Sequence, residues 1–164
     1  MIEKTYPIAE QLILNALQLA LQLQQELNRE ADALKKTQQA ELINDIAASK
    51  KQLVAQLEQF NAQLAQVLAT EKLANNQESI KEYFNRAKTA DLLTEHASGN
   101  WTQLMQVCAE CRSLNEQNGA GIDLLSRHTK RSLDILKGKP EFANTYGANG
   151  ITQSERHSHS LISV

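Results

Sequence analysis

No glycine occurs before Gly99, and the whole 164-residue chain has only six. The first 98 residues therefore lack the residue that most easily takes a left-handed turn, which argues against a fold of many tight hairpins. Aromatic residues make up 4% of the chain. A β-sandwich or barrel draws more heavily on aromatic and β-branched side chains. There are two prolines, Pro7 and Pro140, so almost nothing interrupts a helix between them. The two cysteines, Cys108 and Cys111, are too few for a disulfide framework. The leucine-rich stretch near the start is broken every few residues by Glu10, Gln11, Asn15, Gln18 and Gln22. It offers neither the apolar core of a signal peptide nor a span of about 20 apolar residues. A cytoplasmic chain without membrane insertion is the expectation. Charge is balanced, with 17 basic and 19 acidic residues and a net charge of −2, and no basic stripe appears. Nucleic acid is not an expected partner.

What is present is Leu, Ala, Gln, Glu and Lys at helical spacing. Ile8, Leu12, Ala16, Leu19, Leu23, Leu27, Ala31 and Leu34 step by three and four and predict one helical face. Leu14, Leu17 and Leu21 add a second strip. Pro7 is expected to open this helix. Residues 35–38 read as a short reversal. Ile43, Ile46, Lys50, Leu53, Leu57, Phe60, Leu64 and Val67 then form a stricter seam with one polar member, Lys50. Lysine at such a position commonly lays its stem on the core, sends its ammonium outward and fixes register. Two long helices joined by a short link become antiparallel neighbours. Ser79–Ala87 predicts a short helix, and the HASGN stretch ending at Asn100 a break.

A last long helix follows from Trp101 through Leu104, Cys108, Cys111, Asn115, Asn118, Ile122, Leu125, Thr129, Ser132 and Leu136, until Gly138 and Pro140 stop it. Gly119 and Gly121 lie inside it and weaken it by up to about 1 kcal/mol each. The seam keeps phase across them, which favours one continuous helix over a break at Asn118-Gly119. The expected fold is all-α: a long antiparallel hairpin, a short helix and a long C-terminal helix in a coiled-coil-like bundle. Residues 1–137 form the bundle, and residues 138–164, rich in Gly, Ser, Asn and Thr, form a flexible tail.

Catalytic and metal-binding patterns are weak. Cys108-Ala109-Glu110-Cys111 lacks the second ligand pair of a zinc site and the strand context of a redox motif. Both cysteines fall on the seam, where a small apolar residue is wanted. No Glu is followed by His three residues later, so the ligand pattern of a di-iron bundle is missing. No enzyme, metal or cofactor is expected. The unusual polar pair is Asn115 and Asn118, one turn apart on the seam and next to two glycines. It suggests a close helix approach or a surface bound elsewhere. Downstream, Ile122, Leu125, Leu133 and Leu136 form an apolar stripe, with Leu124 and Ile135 on a neighbouring face.

The final third resembles the flagellar export chaperone family FlgN. The resemblance lies in LNEQNG (Leu114, Asn115, Asn118, Gly119), in SLDILKGKP (Leu133, Ile135, Leu136, Gly138) and in YGANG (Tyr146, Gly147, Gly150), which follow the family's order and spacing. Trp101 fits as well. Upstream, IAASKKQLVAQL matches the family's Ile-x-x-x-Lys-x-x-Leu-Leu stretch, with Lys50 as the lysine and Val54 in place of the second leucine. The resemblance implies a cytoplasmic type III secretion chaperone that binds the C-terminal helical segments of hook–filament junction proteins. On that reading Asn115, Asn118, Ile122, Leu125, Leu133 and Leu136 hold the substrate. Tyr146, Gly147 and Gly150 dock on the cytoplasmic domain of the export gate. A plain coiled-coil adaptor or structural oligomer shares the seams but has no use for the Tyr146-Gly147-x-x-Gly150 element.

Overall fold

Four helices account for nearly all of the described chain. The structure, a computed structural model, describes residues 1–36 and 39–136. The helices are α1 (Ile2–Leu34), α2 (Ala40–Thr70), α3 (Gln77–Thr89) and α4 (Glu95–Leu136). Thr37 and Gln38 of the reversal, and the tail with Tyr146, Gly147 and Gly150, lie outside the described residues.

α1 is the central helix. α2 and α4 both pack along it and barely touch each other. α2 runs antiparallel to α1, as the Thr5–Glu71 and Glu30–Lys50 pairs at its two ends require. α4 runs parallel to α1, because Tyr6 meets Leu93, Ala20 meets Cys111, and Leu27 meets Asn118. α3 fills the end where the start of α1 meets the end of α2. Its Ile80, Tyr83 and Ala87 are buried there. Tyr83 donates to Thr5 Oγ1 at 3.2 Å and stacks with Tyr6 at 6.5 Å between ring centroids.

Serving two neighbours changes which face of α1 is inside. The buried positions are Ala9, Ile13, Ala16, Leu17, Ala20, Leu23, Leu27, Glu30 and Ala33, besides Thr5 and Tyr6. Ile8 is 55% exposed, and Leu12 and Leu19 are only half-buried. Of the two strips read over the first half, only Ala16 and Leu17 are buried; Leu14 is exposed and Leu21 half-buried. Ala9, Ile13 and Ala20, outside both strips, are buried with them, and the alanines are small enough to bring two helices close at once. Nor does Pro7 open α1. The helix starts at Ile2, and Tyr6 and Thr5 anchor that extra turn through Leu93 O and Glu71. Pro7 is exposed and forfeits only the bond its missing N–H would have made to the first turn.

α2 follows its sequence pattern. Ile46, Leu53, Leu57, Phe60, Leu64 and Val67 are buried in one line, with Leu68 beside them. The two turns after it manage without glycine. Lys72 and Asp91 take left-handed conformations (φ 58° and 56°). The next amide closes each helix end, Leu73 N to Leu68 O at 2.9 Å and Leu92 N to Ala87 O at 3.1 Å. Leu73 and Leu92 then pack partly on the core, the apolar contact that accompanies this capping motif.

The break expected at HASGN is absent. α4 begins at Glu95, with Ala97 fully buried and Gly99 inside the helix. Ala97 extends the seam of Trp101, Leu104 and Cys108 one turn backward, which outweighs the cost of one helical glycine. α4 also runs unbroken through Gly119 and Gly121, as the phase of the seam predicts.

Candidate functional site

The lower half of α4 is committed to the bundle. Trp101, Leu104, Val107, Cys108 and Cys111 are buried against α1. Cys111 Sγ sits 3.6 Å from the carbonyl of Ala20. Burial pushes the Cys108 thiol up to about 12 and the Cys111 thiol up to about 11. Both are held as neutral thiols at physiological pH, poor nucleophiles and poor metal ligands. Among the described residues no group of three or more His, Cys, Asp or Glu side chains is placed to hold a metal ion. No described helix is long and apolar enough to cross a membrane.

Above the cysteines, one polar cluster ties three helices together. Glu30 of α1 is 1% exposed. Its Oε2 accepts from Lys50 Nζ of α2 at 2.8 Å and from Asn118 Nδ2 of α4 at 2.9 Å. Asn118 Nδ2 also donates to the carbonyl of Leu27 at 2.8 Å. Asn115 is exposed, with Oδ1 3.4 Å from the same ammonium. Lys50 therefore turns its ammonium inward, contrary to the outward course expected for it. The sequence reading did not single out Glu30. Its signal was available: Leu23, Leu27 and Glu30 continue a four-three spacing, and the opposing seam carried a lysine that needed a counter-charge. A cleft of about 440 Å³ opens beside the cluster, between α2 and α4, floored by Leu23 and Leu27.

The candidate site begins where α1 ends. Leu34, the last residue of α1, lies against Gly121. α4 continues for 15 more residues, 122–136, about 22 Å at 1.5 Å per residue. Ile122, Leu125, Leu133 and Leu136 keep the phase of Leu104, Cys108, Cys111 and Asn118 at about 100° per residue. The face that packs on α1 below is thus the face that carries the apolar stripe above. Here it is open: Ile122 is 37% exposed, Leu125 46%, Leu133 47% and Leu136 83%, with Leu124 on the neighbouring face at 57%. Asp123, Arg127, Lys130 and Asp134 occupy the opposite side, where a solvated face belongs.

The six residues read as substrate-binding thus divide. Asn118 is buried and its amide is used within the bundle. Asn115 lies exposed at the edge of the cleft. Ile122, Leu125, Leu133 and Leu136 share one exposed stripe beyond the end of α1. Searches of curated proteins and of solved structures return no match. A family model described as FlgN protein matches residues 8–154, which include all of α2, α3 and α4, the exposed stripe and the YGANG element. The chain belongs to the FlgN family of flagellar export chaperones.

Proposed function

We propose that the protein acts in the cytoplasm as an export chaperone for hook–filament junction proteins, holding their C-terminal helical segments on the α4 stripe and delivering them to the export gate. The observation that carries the reading is the in-phase continuation of the bundle seam past the end of α1. A helix with a matching apolar face completes that seam by taking the place a longer α1 would have occupied. Such a segment, kept on the chaperone, is withheld from premature assembly. Full burial of such a side chain contributes about 1.5–3 kcal/mol, and the four stripe residues, three of them already about half covered, each gain part of that. Ordering the partner offsets a good part of that sum. Moderate, reversible affinity is the outcome, as suits a cargo that must be released.

The test is calorimetry of the full chain against junction-protein C-terminal segments, with flagellin as a control. Leu125→Asp with Leu136→Asp should weaken binding at least 100-fold while helicity is retained, because a charge is left unpaired against the apolar cargo. Unchanged affinity moves the cargo to another surface, such as the hairpin. The same exposed stripe is also compatible with self-association, the structural-oligomer reading. A mass that rises with concentration, together with no binding to any junction segment, favours that reading instead.

Export-gate docking is assigned to the element Tyr146-Gly147-x-x-Gly150. A tyrosine offers a large apolar area, few rotamers and one directed hydroxyl, which suits an interface anchor. Tyr146→Ala should lose binding to the cytoplasmic domain of the gate and keep binding to the junction segment. Loss in neither assay, or a large fall in melting temperature, assigns Tyr146 to a local clasp on the bundle.

A further inference from the structure

We infer that α4 is two mechanical segments joined by a hinge at Gly119-Ala120-Gly121, so that residues 122–136 move as an arm on a fixed root. A glycine inside a helix shifts the local opening equilibrium toward the open form about fivefold relative to alanine, the equivalent of about 1 kcal/mol. Its usual justification is space, where a second backbone comes too close for a Cβ. That justification fails here. A Cβ on Gly119 meets nothing within 4 Å. One on Gly121 meets only the end of the Leu34 side chain at 3.5 Å, an ordinary contact. Two such residues within one turn therefore weaken the helix without improving its packing.

Their position gives the weakness a direction. Immediately before them, Asn118 fastens α4 to Leu27 O and Glu30, and Glu30 is fastened in turn to Lys50 of α2. The root of the arm is therefore bonded to both other long helices. Immediately after them, α1 ends at Leu34. Bending is concentrated in the one turn that follows the last anchor and precedes the length of α4 that extends beyond the end of α1. An arm so mounted can swing its stripe onto a bound helix. That last step rests on the proposed cargo function; the hinge itself does not.

Hydrogen exchange on the full chain, without any partner, tests the hinge. Protection should pass through a local minimum at the amides of residues 120–125, which bond across the glycine turn, and rise again over residues 126–132. Gly119→Ala with Gly121→Ala should slow exchange at 120–125 at least fivefold, and the added methyl groups fit without displacement. Gly99→Ala, where a Cβ also meets nothing, is the control and should leave that segment unchanged. A smooth decline of protection from 118 to 136 is simple end-fraying and overturns the inference. So does a double variant with unaltered exchange. Binding is the second readout. The double variant should bind a junction-protein segment at least fivefold more weakly, and Gly99→Ala should bind normally. Absence of binding by the unmodified chain refutes the cargo reading and leaves the exchange result to decide the hinge.

Discussion

Replacing Lys50 by methionine isolates the electrostatics of the three-helix cluster. The substitution keeps most of the stem that lies along the groove and removes the ammonium. Glu30 then retains a carboxylate at 1% exposure with Asn118 Nδ2 as its remaining donor. Removing one member of a buried ion pair costs about 3–5 kcal/mol, most of it the desolvation of the charge left behind. The lower end applies, because the Lys50 side chain is 18% exposed and Asn118 still serves the carboxylate. A loss of about 3 kcal/mol is expected, equivalent to about 6–12 °C in melting temperature for a chain of this size. Denaturant titration followed by circular dichroism measures it. Adding Glu30→Gln to Lys50→Met should recover most of the loss, since a neutral amide still accepts from Asn118 and carries no stranded charge. The double-mutant cycle should therefore be strongly non-additive. A loss below about 1 kcal/mol for Lys50→Met alone, or additive single effects, means that water reaches the carboxylate and refutes the buried-pair reasoning.

Three other outcomes follow from the same geometry. The thiols of Cys108 and Cys111 are raised from 9.0 to about 12 and about 11 by burial. Below pH 9 both folded and unfolded chains keep these protons. Above it the unfolded chain releases them first, so stability falls as pH rises until the folded thiols ionise. At pH 10 each thiol contributes about 1.4 kcal/mol of that fall. Cys108→Ala with Cys111→Ala should lose this alkaline component in parallel denaturation series at pH 8 and 10, and should keep cargo binding; an identical pH slope refutes the assignment. Lys72→Gly should raise stability by about 0.5–1 kcal/mol, because φ 58° is strained for lysine and free for glycine. Lys72→Pro, whose ring fixes φ near −65°, should instead lower it by more than that. Ile122→Ser should weaken cargo binding about tenfold and change the melting temperature by less than 2 °C, because the side chain is already 37% exposed; a large fall in melting temperature places Ile122 in the core.

How far the sequence was legible depended on how many neighbours each helix had. α2 packs mainly on α1, and its four-three pattern named the buried residues almost without error. α1 packs on two helices, so its buried set is wider than one stripe and includes alanines that carry little hydropathy signal. The strips read from the spacing put Ile8 inside, where it is 55% exposed, and left out Ala9, Ile13 and Ala20, which are buried. Punctuation misled in both directions. Pro7 and Gly99 look like boundaries but lie within helices, because Tyr6 and Ala97 bury residues on their far sides. Lys72 and Asp91 look like nothing, yet take the left-handed turns that reverse the chain. At the candidate site, the apolar stripe was visible as a pattern. Its exposure was not, because Ile122 and Leu104 share one phase and differ only in whether α1 reaches them.

On the proposed cargo reading, that last point bears on how a single helix can serve both stability and exchangeable binding. α4 would then use one face for both purposes, with the end of α1 separating them. Below Leu34 the face is closed by α1 and finished by Asn118, whose two hydrogen bonds are made only when α4 sits in this register. A slip of one turn takes from the Glu30 carboxylate its Asn118 donor, leaving Lys50, and strands the Asn118 amide. The buried polar cluster thus opposes sliding in a way that a uniform apolar seam does not. Above Leu34 that face carries Ile122, Leu125, Leu133 and Leu136 among the described side chains, all of them exposed. The seam is closed by α1 and tied by the Asn118 hydrogen bonds up to residue 118 and is exposed from Ile122 onward, and the change occurs across Gly119-Ala120-Gly121.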